Sequence, residues 1–251
     1  MKILAIDTSS IYASCALLAE GDIRSEAAVN NGLVHSRSLM PMIERCLQNA
    51  DTDIGQIDVF ACVAGPGSFT GIRIGVCAVK GLAQALKKPC AAVNTLDCLR
   101  QNFPFASTVC PIMDARRGQV YCAAFDVSSG RPVRALEDAA LQVYCAIYEE
   151  KSILLNSSAM AIEDLLALLK GKNTVFLGDG VKVYKDTIFA ALKERALFAP
   201  PHLNYTRASS AAFLAMQAAE ENKLVSAAAL DAIYLRKPQA EREYAAKHSQ
   251  A

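Results

Sequence analysis

Several groups of residues have the type and spacing to do chemistry. Asp7 and Asp114 each end an apolar run and open a turn, Asp7-Thr8-Ser9-Ser10 and Asp114-Ala115-Arg116-Arg117. A pair of such hairpins facing a cleft could hold a phosphate and a metal ion, because backbone N–H groups in a tight turn bind anions. That chemistry needs small residues. The first turn has no glycine, and the second carries two long cations that offset charge but crowd the approach. The simpler assignment, an aspartate bonding its own turn backbone, is favoured. A weaker candidate is Gly178-Asp179-Gly180 after an apolar run, where Gly178 and Gly180 could let an adenosine approach. Its brevity makes it unspecific.

The densest signal is Ala64 to Gly75, AGPGSFTGIRIG, with Gly65, Pro66, Gly67, Ser68, Thr70, Gly71 and Gly75 between a strand-like and a helix-like run. A rigid turn from strand to helix is where α/β proteins place ligands or partners. No lysine follows Gly71 or Gly75 as a P-loop requires, and Gly65, Gly67 and Gly71 are one residue too widely spaced for a dinucleotide fingerprint. Two residues separate Ser68 from Gly71, so no nucleophile elbow forms. Helix capping explains Ser68 and Thr70 better than catalysis does. The chain has three histidines. His35 lies just before a helix with no ligand set around it, and His202 and His248 lie in proline-rich or polar surroundings. No catalytic residue and no metal site is expected.

The elements that must position these residues read as follows. Ile3 to Ile6, Tyr12 to Ala19 and Ile23 to Val29 are strands joined by tight turns, an antiparallel meander. Leu39, Ile43, Cys46, Leu47 and Ala50 share a helical face. Pro41 suits the first turn of that helix, which favours Ser38 over Ser36 as its cap. Ile57 to Val63 is a buried strand entering the glycine turn. The helix that leaves it, Ile72 to Leu86, has only Arg73, Lys80 and Gln84 as polar side chains. A helix this apolar needs burial on more than one side, and Gly71, Gly75 and Ala78 would let a second helix come close. Cys90 to Val93 is a strand, Leu96 to Phe103 a helix, and Asn102-Phe103-Pro104 a boundary. Thr108 to Met113, Val120 to Val127 and Pro132 to Leu136 then repeat the strand-aspartate-turn-strand-turn-strand pattern, which suggests related lobes. Helices follow near Leu141 to Glu150 and Met160 to Leu169. A strand spans Thr174 to Leu177, and an alanine-rich helix runs from about Ala208 to Glu221. The polar tail from Ala240 is expected to fray.

Composition limits the function. Hydrophobic residues make up 53% of 251 residues and mean hydropathy is +0.21, so the chain buries a large core or keeps apolar surface for a partner. A net charge of +1 argues against holding nucleic acid alone. Nine scattered cysteines without a C-x-x-C pair suit reduced, buried thiols and a cytoplasmic setting. Neither a signal peptide nor an uncharged apolar run of the ~18 residues that span a membrane is expected.

Together the stretches ILAIDTSS (3–10), HSRSLMPMI (35–43), AGPGSFTGIRIG (64–75), KGLA (80–83), DARRGQVY (114–121), GDG (178–180) and YLR (234–236) resemble the TsaB (YeaZ) family, in family order across nearly the whole chain. The resemblance implies an α/β, actin-like (ASKHA) fold of two ribonuclease-H-like lobes with mixed sheets flanked by helices. The lobes would span 1–104 and 105–251, with a C-terminal segment returning to the first. It further implies a non-catalytic subunit that binds a TsaD-type protein and activates formation of N6-threonylcarbamoyladenosine in ANN-decoding tRNAs. A TsaE-type ATPase would join, tRNA would be met only through the complex, and the isolated chain would form a homodimer. No cofactor is expected of the chain itself, with ATP or ADP and Mg at a complex interface left open. The pairing helices would be about Ser38 to Asn49 and Thr70 to Leu86. Met40, Ile43, Leu47, Ile72, Val76 and Val79 would be the contacts, with some of them facing the core instead. Weak phosphate contacts would fall on Asp7, Thr8, Ser9, Asp114, Gly178 and Gly180. Arg37 and Ala232 depart from residues frequent in the family, glutamate and proline. The alternatives are an ATP- and Mg-binding enzyme of the same fold, with Asp7 and Asp114 on the nucleotide, and a glycopeptidase-like protease.

Overall fold

In the computed structural model the described residues are 1–31, 35–103, 108–116, 118–126 and 152–235. The chain divides into two units, Met1–Leu99 with Tyr205–Ala251, and Arg100–Asn204.

The first unit opens with the meander β1 (Lys2–Asp7), β2 (Ala13–Ala19) and β3 (Asp22–Val29), all antiparallel neighbours. Helix α1 (His35–Asn49) and a short 3-10 turn, Ile54–Gln56, lead to β4 (Val59–Gly65). Then come α2 (Phe69–Leu86), β5 (Cys90–Asn94) and α3 (Thr95–Gln101). The sheet order is β3-β2-β1-β4-β5, with β4 parallel to both β1 and β5. Successive strand residues point to opposite faces, and both faces of β1 and β4 are covered. Leu4, Ile6, Phe60 and Cys62 meet α1 and α2 through Leu39, Ile43, Ile72 and Val79. Ile3, Ala5, Val59, Ala61 and Val63 meet Ala211, Ala212 and Ala215 on the opposite side. Burial on both faces is why these strands read as unbroken apolar runs.

The second unit repeats the plan. Its strands are β6 (Thr108–Arg116), β7 (Gln119–Asp126) and β8 (Ser152–Ala161). They are followed by α4 (Ile162–Leu168), β9 (Thr174–Leu177), α5 (Gly180–Leu192) and β10 (Ala196–Phe198). The order β10-β9-β6-β7-β8 is, read backwards, the order of the first sheet, with β6–β7 and β7–β8 antiparallel and β6–β9 and β9–β10 parallel. The last helix, α6 (Ala208–Glu220), belongs to the first unit and supplies the alanines on its sheet.

Several expectations change here. Ser38 does not cap α1. The helix already runs from His35, Pro41 lies inside it, and the Ser38 hydroxyl is 3.4 Å from the His35 carbonyl oxygen it donates to. The apolar spacing located the helix but not its start. The third strand of the second meander is β8; the expected strand at Pro132 to Leu136, the helix at Leu141 to Glu150 and the tail from Ala240 lie outside the described residues. Helix α5 and strand β10 were not anticipated. Among the described residues α2 alone is long and apolar enough to cross a membrane by length and composition, but it carries Arg73 and Lys80 and packs one face into the lobe core.

Candidate functional site at the strand-end aspartates and the second helix

Asp7 sits at the carboxyl end of β1 and is fully buried. Its Oδ1 accepts from the Ser9 N–H at 2.8 Å, and the Thr206 hydroxyl donates to Oδ2. Burial raises its pKa, and these two bonds offset part of that rise. The rest of the turn is tied to the glycine stretch. Thr8 Oγ1 donates to the Gly71 carbonyl at 2.7 Å, and the Ser68 N–H donates to the Ser9 carbonyl at 2.7 Å. A Cβ on Gly67 would strike the Ser9 carbonyl, one on Gly71 the Thr8 carbonyl, and one on Gly75 the Thr8 hydroxyl. Only glycine permits that approach. Gly71 and Gly75 thus make room for the β1–β2 turn, not for a second helix. Pro66 is buried, and Gly65 passes under the Ile233 carbonyl, while the Ile233 N–H donates to Ala64 at 2.7 Å. Ser68 caps α2 by accepting from the Gly71 N–H at 3.2 Å; Thr70 is exposed in the first turn and is not the cap. In this cluster the Ser9 hydroxyl is buried without a hydrogen-bond partner among the described residues.

The second unit repeats this self-sufficiency. Asp114 Oδ1 accepts from the Arg116 N–H at 2.8 Å and lies 3.2 Å from the Tyr184 hydroxyl. The Asp114 N–H donates to Asp179 Oδ1 at 3.1 Å. Burial raises the pKa of Asp179, and that N–H partly offsets it. Gly178, at φ +107°, lies where a Cβ would hit the Ile112 carbonyl, and a Cβ on Gly180 would stand 3.1 Å from the same oxygen. These glycines seat the start of α5 against β6. Both Asp7 oxygens, and Oδ1 of Asp114, are engaged by the chain's own N–H and O–H groups. Among the described residues no group of three or more His, Cys, Asp or Glu is placed to hold a metal. His35 Nε2 lies 2.6 Å from the Ser10 carbonyl oxygen, and His248 is outside the described residues. Of the eight cysteines described, Cys77 is exposed and the others are buried.

Burial sorts the contact residues expected on the pairing helices. Ile72, Val76 and Val79 are buried in the lobe's own core. Ile43 and Leu47 are buried too, and reach only a cavity of about 700 Å³ beside α1, where Met40, Glu44, Asp51 and Asp53 are exposed. Met40, 49% exposed, remains available. The physical reason is that helical spacing identifies the most apolar face, and that face belongs to the sheet. The outward face of α2 instead presents Phe69, Arg73, Cys77, Gly81 and Ala85, with Ala78 half-buried beside them. Arg73 and Tyr234, and likewise Asp7 and Thr206, meet across long sequence separations that no local signal reveals.

Duplicated lobes with this strand order define an actin-like protein of two ribonuclease-H-like lobes. A family model described as "TsaD: tRNA N6-adenosine threonylcarbamoyltransferase" matches residues 31–244. The chain is 31% identical over 247 residues to the tRNA threonylcarbamoyladenosine biosynthesis protein TsaB of Bacillus subtilis, covering 97% of this chain and 98% of that one. The solved structure of YeaZ from Pseudomonas aeruginosa aligns with a TM-score of 0.72 at 26% identity, over 93% of this chain and 99% of the other. A second Pseudomonas aeruginosa structure, described as an uncharacterized protein with similarity to peptidase YEAZ, gives 0.73 at 26% identity over 94% and 99%. The chain belongs to the TsaB (YeaZ) family.

Proposed function

We propose that this chain is a non-catalytic subunit in the synthesis of N6-threonylcarbamoyladenosine on tRNA, acting by docking to a TsaD-type transferase and holding it in its active form. The observation that carries the non-catalytic reading is the engagement of both strand-end aspartates by the chain's own groups. Kinship with TsaB along nearly the full chain supports the pathway. The docking surface is the outward side of α1 and α2, with Met40 among its residues and the core-facing residues excluded. A TsaE-type ATPase joins the assembly, and ATP or ADP with Mg belongs at the subunit interface. The isolated chain pairs with itself, and tRNA is reached only through the complex, in the cytoplasm. A peptidase role finds no support in the geometry: Ser68 Oγ is engaged as a helix cap and His35 Nε2 contacts a backbone carbonyl. The test is deletion of the gene followed by mass spectrometry of tRNA nucleosides. Loss of the modified adenosine, restored by the gene on a plasmid, is expected; an unchanged level overturns the proposal.

A further inference from the structure

We infer that Phe69, Arg73 and Tyr234 form the anchor of the docking face, and that this anchor takes a carboxylate side chain of the partner protein; the inference rests on the proposed pairing with a TsaD-type protein. The Arg73 guanidinium lies 3.8 Å over the Phe69 ring, and its Nε–H donates to the Tyr234 hydroxyl at 3.0 Å. The two rings stand 5.2 Å apart. Phe69 is 39% exposed and Tyr234 40%, so the two neighbouring rings form a small apolar patch beside the guanidinium. Arg73 makes no ion pair with a described carboxylate. With Nε engaged, the exposed Arg73 keeps its two terminal nitrogens as a pair of N–H donors, a set that a carboxylate matches. The ring and hydroxyl already hold the long side chain, so little rotamer freedom remains to be lost on binding. Aromatic and arginine residues held this way dominate interface energetics.

A second observation on the same face is Gly81. It lies inside α2 and is exposed, and a Cβ there would meet nothing within 4 Å. Glycine inside a helix weakens it, and no contact among the described residues requires it at this position. With Cys77 and Ala85 one turn to either side, its bare backbone lets a partner helix come close. The anchor therefore stands at the amino end of a shallow lane along α2. The partner fitted to it is a helix with small residues along the crossing and an Asp or Glu at the end that meets Arg73.

The experiment is titration calorimetry of the full chain with the TsaD-type protein of the same organism, at low and high salt. Arg73→Glu is expected to weaken binding about tenfold or more, the scale of a hot-spot residue, with the melting temperature kept. Arg73→Gln should weaken binding less and flatten its salt dependence. Gly81→Ala should weaken binding while the chain itself melts no lower. Normal binding by wild type together with Arg73→Glu binding within threefold overturns the anchor and leaves the proposed function standing. Absence of binding by wild type overturns both.

Discussion

Asp7, whose type and place suggest a phosphate or metal contact, is hydrogen-bonded within its own unit. Its carboxyl is buried, bonded by Ser9 and Thr206, and held above its ordinary pKa by desolvation. A carboxyl whose folded pKa is raised contributes stability fully below its unfolded pKa of about 3.9, and loses that contribution as pH rises through the folded pKa. Asp7→Asn keeps the acceptor for Ser9 and removes the titration. Melting curves from pH 4 to 8 should therefore fall less with rising pH for Asp7→Asn than for wild type. Asp7→Ala strands two buried donors and should lower stability by about 1–3 kcal/mol at every pH. Equal pH profiles for wild type and Asp7→Asn would contradict this account. The turn itself was legible in the sequence as an aspartate followed by small polar residues. Its real partner was not, because Thr206 follows 199 positions later and only the fold brings it near.

At the scale of the element, α2 was legible as a helix and misleading as a surface. Its periodicity is blurred because nearly every position is apolar or small, so spacing alone could not say which side faces the sheet. The structure resolves this at Val79, buried against β4's sheet, and at Gly81, exposed on the far side. Opposite outcomes follow for single substitutions two residues apart. Val79→Asp puts an unpaired charge in the core and should cost about 3–5 kcal/mol, a large share of the roughly 5–15 kcal/mol that keeps a domain folded. Gly81→Ala should raise stability by about 0.5–1 kcal/mol, read as a higher melting temperature. A destabilised Gly81→Ala would mean that the helix packs internally where it is exposed here. Helix α5 was legible in principle, with Val181, Tyr184, Ile188 and Leu192 at helical spacing. Strand β8 was not: Asn156, Ser157 and Ser158 interrupt it, and Ile153 and Leu154 are exposed, so no alternation marks an inward face.

For the whole molecule, the duplicated plan accounts for what the chain shares with actin-like proteins. The repeat was visible in the sequence because each lobe begins with an apolar run ending in aspartate. The return of α6 to the first sheet is carried by small residues, Ala211, Ala212 and Ala215, whose helical pattern says nothing of which lobe they cover. For the proposed docking role the fold offers α2, seated on the β1–β2 turn by glycines with its outward face exposed. The most direct test of that account is reconstitution of the modification from purified TsaD-type and TsaE-type proteins, ATP, threonylcarbamoyl donor and unmodified tRNA, with and without this chain. The account predicts that modified adenosine forms only when this chain is added, that the chain alone yields none, and that Asp7→Asn supports the reaction as wild type does. Formation without the chain, or loss of activity in a folded Asp7→Asn variant, would contradict it.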